Sequence, residues 1–150
     1  MSKINYVIGD ATAPKGEGRK IICHICNDIG AWGAGFVLAL SAKWRYPEDR
    51  YRAMPQYVLG TAMVLQVEPD IFVANMIAQH MTRASAEGIP PIRYVALTDA
   101  LSKVNKIAND LGATLHMPRI GCGLAGGEWS AVEAILEEVV TVDVTVYDLK

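Results

Sequence analysis

Apolar positions along the chain fall into short compact runs and one long stripe at three-four spacing, two patterns that separate strands from helices. Ile4 to Ile8 and Lys20 to Cys26 read as strands, the second as a buried one because it is a run of Ile, Cys and His. Tyr57 to Val67 and Ile71 to Ala78 are further apolar runs, and Glu68-Pro69-Asp70 between them supplies the turn of a hairpin. After Pro90-Pro91, the residues Tyr94, Leu97, Leu101, Val104, Ala108 and Leu111 keep helical spacing until Gly112 stops them. Another helix is predicted from about Ala34 to Lys43. Thr114 to Met117 reads as a strand, Ser130-Ala-Val-Glu133 as a capping box opening a helix to Val140, and Asp143 to Leu149 as the strand that closes the sheet. Alternation of strands and helices predicts an α/β fold, a mixed sheet between helices.

Composition narrows the partners. A chain of 150 residues, 51% hydrophobic and 20% charged, is long enough for one domain with a sizeable core, so residues 1–150 are read as one unit. Its net charge of −2 and the absence of a Lys/Arg run give no field for holding a nucleic-acid backbone, which is not the default partner. No apolar stretch approaches membrane-spanning length, and Met1 to Tyr6 lack the apolar core of a signal peptide, so a cytoplasmic location without membrane contact is expected. Three cysteines are no disulfide framework. Cys23 and Cys26 form a C-x-x-C, but residues three apart on a strand point to opposite faces and cannot share one ion; no metal and no cofactor is expected.

The candidate chemistry lies in two glycine-rich loops, each between a strand and a helix. Gly30, Gly33 and Gly35 follow the second strand, and four glycines fall within Gly121 to Gly127 after Thr114 to Met117. Glycine lets backbone amides approach a ligand, and a following helix adds the positive end of its dipole, so the natural guest is phosphate or pyrophosphate. In an open α/β sheet such ligands gather beyond the C-terminal strand ends. Gly121, Gly123 and Gly126 satisfy G-x-G-x-x-G, yet a dinucleotide fingerprint belongs at the first βα turn with further units after it, and here one helix and one strand remain. The first loop has no Lys-Ser or Lys-Thr after it and is no Walker A motif.

Val7-Ile-Gly-Asp-Ala11, Asn27-Asp-Ile-Gly-Ala-Trp-Gly-Ala-Gly35 and Met117-Pro-Arg-Ile-Gly-Cys-Gly-Leu124 together resemble the macrodomains, modules that bind ADP-ribose. The resemblance spans nearly the whole chain and is nearest the branch of ADP-ribose-1″-phosphate phosphatases and the terminal ADP-ribose protein glycohydrolase. It implies a three-layer macrodomain fold, and as partners ADP-ribose or a derivative, including ADP-ribosylated protein. Asp10, with Gly9 and Ala11 beside it, matches the acid that accepts from the adenine amine; its alternative is a turn residue. Gly33, Ala34 and Gly35 match the loop beside the diphosphate and distal ribose. Ile120, Gly121, Cys122, Gly123 and Leu124 match the second phosphate-cradling loop. Asn27 matches a polar residue near the distal ribose, or is a turn-forming Asn. Trp32 covers that ribose or caps a core edge, Tyr147 and Leu149 pack on adenine or belong to the core, and Arg119 faces phosphate or solvent.

For catalysis the resemblance implies that the glycohydrolase's lysine mechanism is closed to this chain. The position of its aspartate is Ala125, and 71–93 contains no lysine. His24 and Asp28 are the catalytic candidates that remain, with Asn27 and His80 behind them; His24 is also readable as a hydrogen-bonded core residue, Asp28 as a turn acid, and His116 as structural. Three functions stand open: dephosphorylation of ADP-ribose-1″-phosphate, non-catalytic ADP-ribose reading, and metal-free hydrolysis of ester-linked ADP-ribose on protein.

Overall fold

A computed structural model describes residues 4–149. Met1 to Lys3, included in the reading for a leader, lie outside the described residues. Six strands form one sheet: β1 (Ile4–Ile8), β2 (Lys20–Asn27), β3 (Ala62–Glu68), β4 (Ile71–Gln79), β5 (Thr114–Met117) and β6 (Val144–Asp148). They lie in the order β1-β6-β5-β2-β4-β3, parallel throughout except for β3, which pairs antiparallel with β4 across the expected hairpin. Helices α1 (Phe36–Lys43) and α2 (Tyr46–Arg52) cover one face, and α3 (Tyr94–Leu111) and α4 (Trp129–Val139) the other. This is the mixed α/β sheet between helix layers that the pattern predicted.

Alternation along β2 and β4 assigns side chains to the two layers. Ile21, Cys23, Ala74, Met76 and Ala78 join Leu97, Leu101 and Val104 of α3 and Leu136 of α4 in the larger core. Ile22, Cys26, Val73 and Ile77 meet Leu40 of α1 and Tyr51 of α2 in the smaller one. Cys23 and Cys26 therefore sit on opposite faces, and burial raises both thiols, Cys23 to about 12.

The structure corrects four local readings. Tyr57 to Thr61 are not strand: Gly60 takes a φ of 91° and its amide donates to Ile77, so β3 begins only at Ala62. Helix α1 starts at Phe36 instead of Ala34, because Gly35 at φ 81°, ψ −146° is not helical. Ser130 does not cap α4; Glu128 occupies the cap position in extended backbone without a side-chain cap bond, and Ser130 lies inside the first turn. The last strand closes no edge, since β6 lies between β1 and β5. Helix α2 was not anticipated, its seven residues being too few to show periodicity. Gly112 ends α3 as expected, at a left-handed φ of 67°. Among the described residues no helix is long and apolar enough to cross a membrane.

Candidate ligand cleft

The C-terminal ends of β2 and β5, adjacent in the sheet, carry the two glycine loops to opposite walls of one cleft of about 570 Å³. Gly33, Ala34 and Gly35 line one wall, Arg119, Ile120, Gly121, Gly123 and Leu124 the other, with His24, Asn27 and Trp32 between them. The walls meet where a side chain on Gly35 would come within 3.5 Å of Leu124, itself 68% exposed.

Both walls offer unpaired amides. Gly35 caps α1 without a side-chain bond, so the first-turn N–H groups of Phe36 and Val37, which line the cleft, receive no side-chain cap among the described residues. Across from them, Cys122, Gly126 and Gly127 donate to carbonyls of their own loop, whereas Gly123 and Leu124 amides make no hydrogen bond among the described residues. Converging free amides and one helix dipole favour an anion between the loops.

The glycines divide by role. Gly121 (φ 76°) and Gly126 (φ 73°) need the left-handed region, and any side chain on Gly121 would strike Ile92. Gly127 packs against the Gly121 carbonyl, which a side chain there would meet at 2.5 Å. Gly33 and Gly123, in contrast, have open space where a side chain would stand, on the cleft side.

Asn27 organises its own loop. Its Oδ1 accepts from the amides of Ile29 (3.1 Å) and Ala31 (3.0 Å), its Nδ2 donates to Ala31 O (2.7 Å), and Tyr51 donates to its carbonyl (2.6 Å). Trp32 is buried, with its indole N–H donating to Ser41 at 2.8 Å. His24, 2% exposed, donates from Nε2 to Asn75 Oδ1 at 2.5 Å, while Asn75 Nδ2 donates to the Pro47 carbonyl, which sets the amide's orientation and hence the tautomer. Trp32 stands edge-on to the ring. Burial draws the His24 pKa down to about 4, opposed by the bond to Asn75, so the imidazole is neutral at neutral pH. The core-histidine alternative describes this geometry.

The remaining expected residues, Arg119 apart, lie outside the cleft lining. Gly9, whose amide donates to Asp148 O, continues β1 into Asp10 and Ala11 beside the end of β6. Asp10 Oδ1 accepts from the Thr12 amide (2.9 Å) and hydroxyl (2.8 Å), which hold its carboxyl below the usual range. Its Oδ2 has no partner among the described residues, so an ionised acceptor oxygen is available there. Leu149 is 81% exposed at the same end of the sheet, whereas Tyr147 is buried, its hydroxyl accepting from the Lys15 amide at 2.8 Å and contacting His116. Arg119 reaches the cleft wall but commits its guanidinium to Asp148 (2.7 and 3.0 Å) between the rings of Tyr6 and Trp129. Cys122 is half-buried, and its thiol is raised by burial. Asp28 faces His80 at 2.7 Å; burial would raise its pKa, but bonds from the Met81 amide and His80 bring it below the usual range.

Sequence reasoning did not single out Phe36, Gln79 and Thr82, which also line the cleft. Gln79 carried a usable signal as the last residue of a strand ending at the same level as Asn27. Among the described residues no group of three or more His, Cys, Asp or Glu is placed to hold a metal.

No protein-family profile matches the chain. It is similar to a solved macrodomain protein from Streptomyces coelicolor, at 48% identity and a TM-score of 0.83, covering 97% of this chain and 99% of that one. An ADP-ribose 1″-phosphate phosphatase from Candida albicans is 27% identical over 96% of this chain and 98% of its own length. A chromodomain-helicase-DNA-binding protein 1-like from Danio rerio is 31% identical over 90% of this chain, but the chain spans only 14% of that protein's length. The DarTG protein of Thermosipho africanus, solved in complex with ADP-ribose, shares the fold at a TM-score of 0.75 and 16% identity, over 99% of this chain and 42% of that one.

Proposed function

The chain belongs to the macrodomain family, and on that premise we propose that it binds ADP-ribose in this cleft and dephosphorylates ADP-ribose-1″-phosphate. The observation that carries the proposal is the convergence of the uncapped first turn of α1 and the free Gly123 and Leu124 amides on one space, a site for a diphosphate. In this reading the ionised Asp10 accepts from the adenine amine, with Gly9, Ala11 and Leu149 around the base, and Tyr147 supports that end from below. The distal ribose lies over Gly33 to Gly35 towards Asn27 and Trp32. The assignment of residues 1–150 as one cytoplasmic domain belongs to the same proposal.

For the reaction, His24 shapes the cleft floor as a neutral ring, and Asp28 acts through His80, because both its carboxylate oxygens are engaged by His80 and Met81. A second reading, a non-catalytic ADP-ribose reader, is favoured by the burial of His24 and by the commitment of the Asn27 amide to its own loop. Hydrolysis of ester-linked ADP-ribose through water held by Asn27 is the third, and that same commitment weighs against it.

Calorimetry with ADP-ribose tests the binding claim, and absence of heat together with an unchanged melting temperature at millimolar ligand removes it. Chromatography after incubation with ADP-ribose-1″-phosphate tests the reaction. Release of phosphate, lost on D28N with ADP-ribose affinity retained, supports the phosphatase; no product from it or from ADP-ribosylated protein leaves the reader.

A further inference from the structure

We propose that the anion carried on C1″ of a bound ADP-ribose derivative, a phosphate or a carboxylate, is received by a second cavity beside the cleft, built from His80, Arg83 and Arg93. The inference rests on the ADP-ribose reading of the cleft. This cavity of about 410 Å³ is joined to the cleft through Thr82, which lines both. The sheet explains the junction. Asn27 and Gln79 are register partners at the ends of β2 and β4 and both line the cleft, so their successors Asp28 and His80 emerge side by side.

Asp28 holds the cavity wall in shape. Its Oδ2 meets His80 Nδ1 at 2.7 Å and its Oδ1 accepts the Met81 amide at 2.8 Å, fixing Met81 at φ 59°, a conformation uncommon for a residue other than glycine. Backbone strain of this kind persists where surrounding contacts over-determine it, and it concentrates at binding sites. With Nδ1 on the carboxylate, the half-exposed His80 ring is left with Nε2, which has no partner among the described residues.

Arg83 and Arg93 complete the lining. Arg93 is held in place by Nη1 donating to the carbonyls of Pro90 (2.5 Å), Pro91 (3.1 Å) and Ile92 (3.0 Å). Arg83 makes no hydrogen bond or ion pair among the described residues. Planar guanidiniums match the paired oxygens of phosphate and carboxylate alike, so the shared requirement is an anion. Asp28, the carboxylate behind His80, is already engaged.

The test is calorimetry on the full chain with ADP-ribose and with its non-hydrolysable C-glycosides bearing a phosphonomethyl or a carboxymethyl group at C1″. Wild type is expected to bind at least one charged analogue about tenfold or more tighter than ADP-ribose, the larger gain distinguishing a phosphate from a carboxylate source. R83Q reduces that gain severalfold with ADP-ribose affinity unchanged, and H80Q also reduces it. Equal affinity for all three ligands, or a gain undiminished in both variants, overturns the subsite while leaving the cleft assignment intact. Failure of ADP-ribose itself to bind overturns the cleft assignment and the subsite with it.

Discussion

Gly121 and Gly123 sit two positions apart in one motif and do opposite work. Gly121 needs a positive φ and has Ile92 against its α-carbon, so Gly121→Val forces a branched side chain into strain and a clash and is expected to destabilise by about 3 kcal/mol or more. Gly123 has ordinary φ and open space. Gly123→Val should leave the melting temperature within a degree or two of wild type, yet weaken ADP-ribose by about tenfold or more, because the side chain would enter the cleft proposed for the ligand. Paired thermal melts and calorimetry check this, and equal destabilisation by the two variants would show that the loop is misread. Cys122→Ala, which removes a half-buried thiol that donates to Ile120 O at 3.4 Å, is expected to be nearly silent in both measurements. Which of the four glycines frames the loop and which faces the ligand was not legible in the motif, since residue identity states a freedom and tertiary contact decides its use. Asn27 was legible only as two alternatives; the bonds its side-chain amide makes to its own loop favour the turn.

At the scale of elements, the short α2 buttresses the first loop. Tyr51, fully buried, donates to the Asn27 carbonyl and packs at a tilt between the rings of Trp32 and Tyr57, so a seven-residue helix without its own amphipathic signature holds the cleft wall. Tyr51→Phe keeps the ring but strands the Asn27 carbonyl in the core, at an expected cost of about 1 to 2 kcal/mol. ADP-ribose affinity should fall with it as the loop loosens; a denaturant melt and a titration on the same variant measure both, and a stability loss without an affinity loss would detach α2 from the site. The elements read most accurately were those with long repeats or complete runs, α3 to its Gly112 stop and the buried β2, because burial on a helix stripe or on both faces of a strand writes itself into the pattern. Those misread, the start of β3 and the cap of α4, depend on where the chain leaves its neighbours, for which Ser130 and Tyr57 carry no local signal.

Over the whole molecule, two buried histidines tie stability to pH. Desolvation draws His24 and His116 from 6.5 down to about 4, with Lys20 adding to the effect at His116. The unfolded chain takes up these protons near pH 6.5 while the folded chain refuses them until about 4, so stability is full above 6.5 and falls across that window. The loss is expected to reach about 2 to 3 kcal/mol per histidine near pH 4. Urea melts at stepped pH check it, and His24→Gln should flatten part of the slope; a stability independent of pH in this range would mean that the rings are protonated in the fold. Apart from α2, the order of strands and helices, the hairpin and the two glycine loops were present in the chain's own periodicity and turn chemistry, because these follow from which residues lie next to one another in sequence. Strand order was not: β6 enters between β1 and β5, and β2 joins β5 to β4, through pairings of residues far apart in the chain. That order brings the loops after β2 and β5 to one cleft, sets Asp28 against His80, and commits Arg119 to Asp148. Non-local burial and partner choice decide such matters, and no window along the chain contains both halves of the pair.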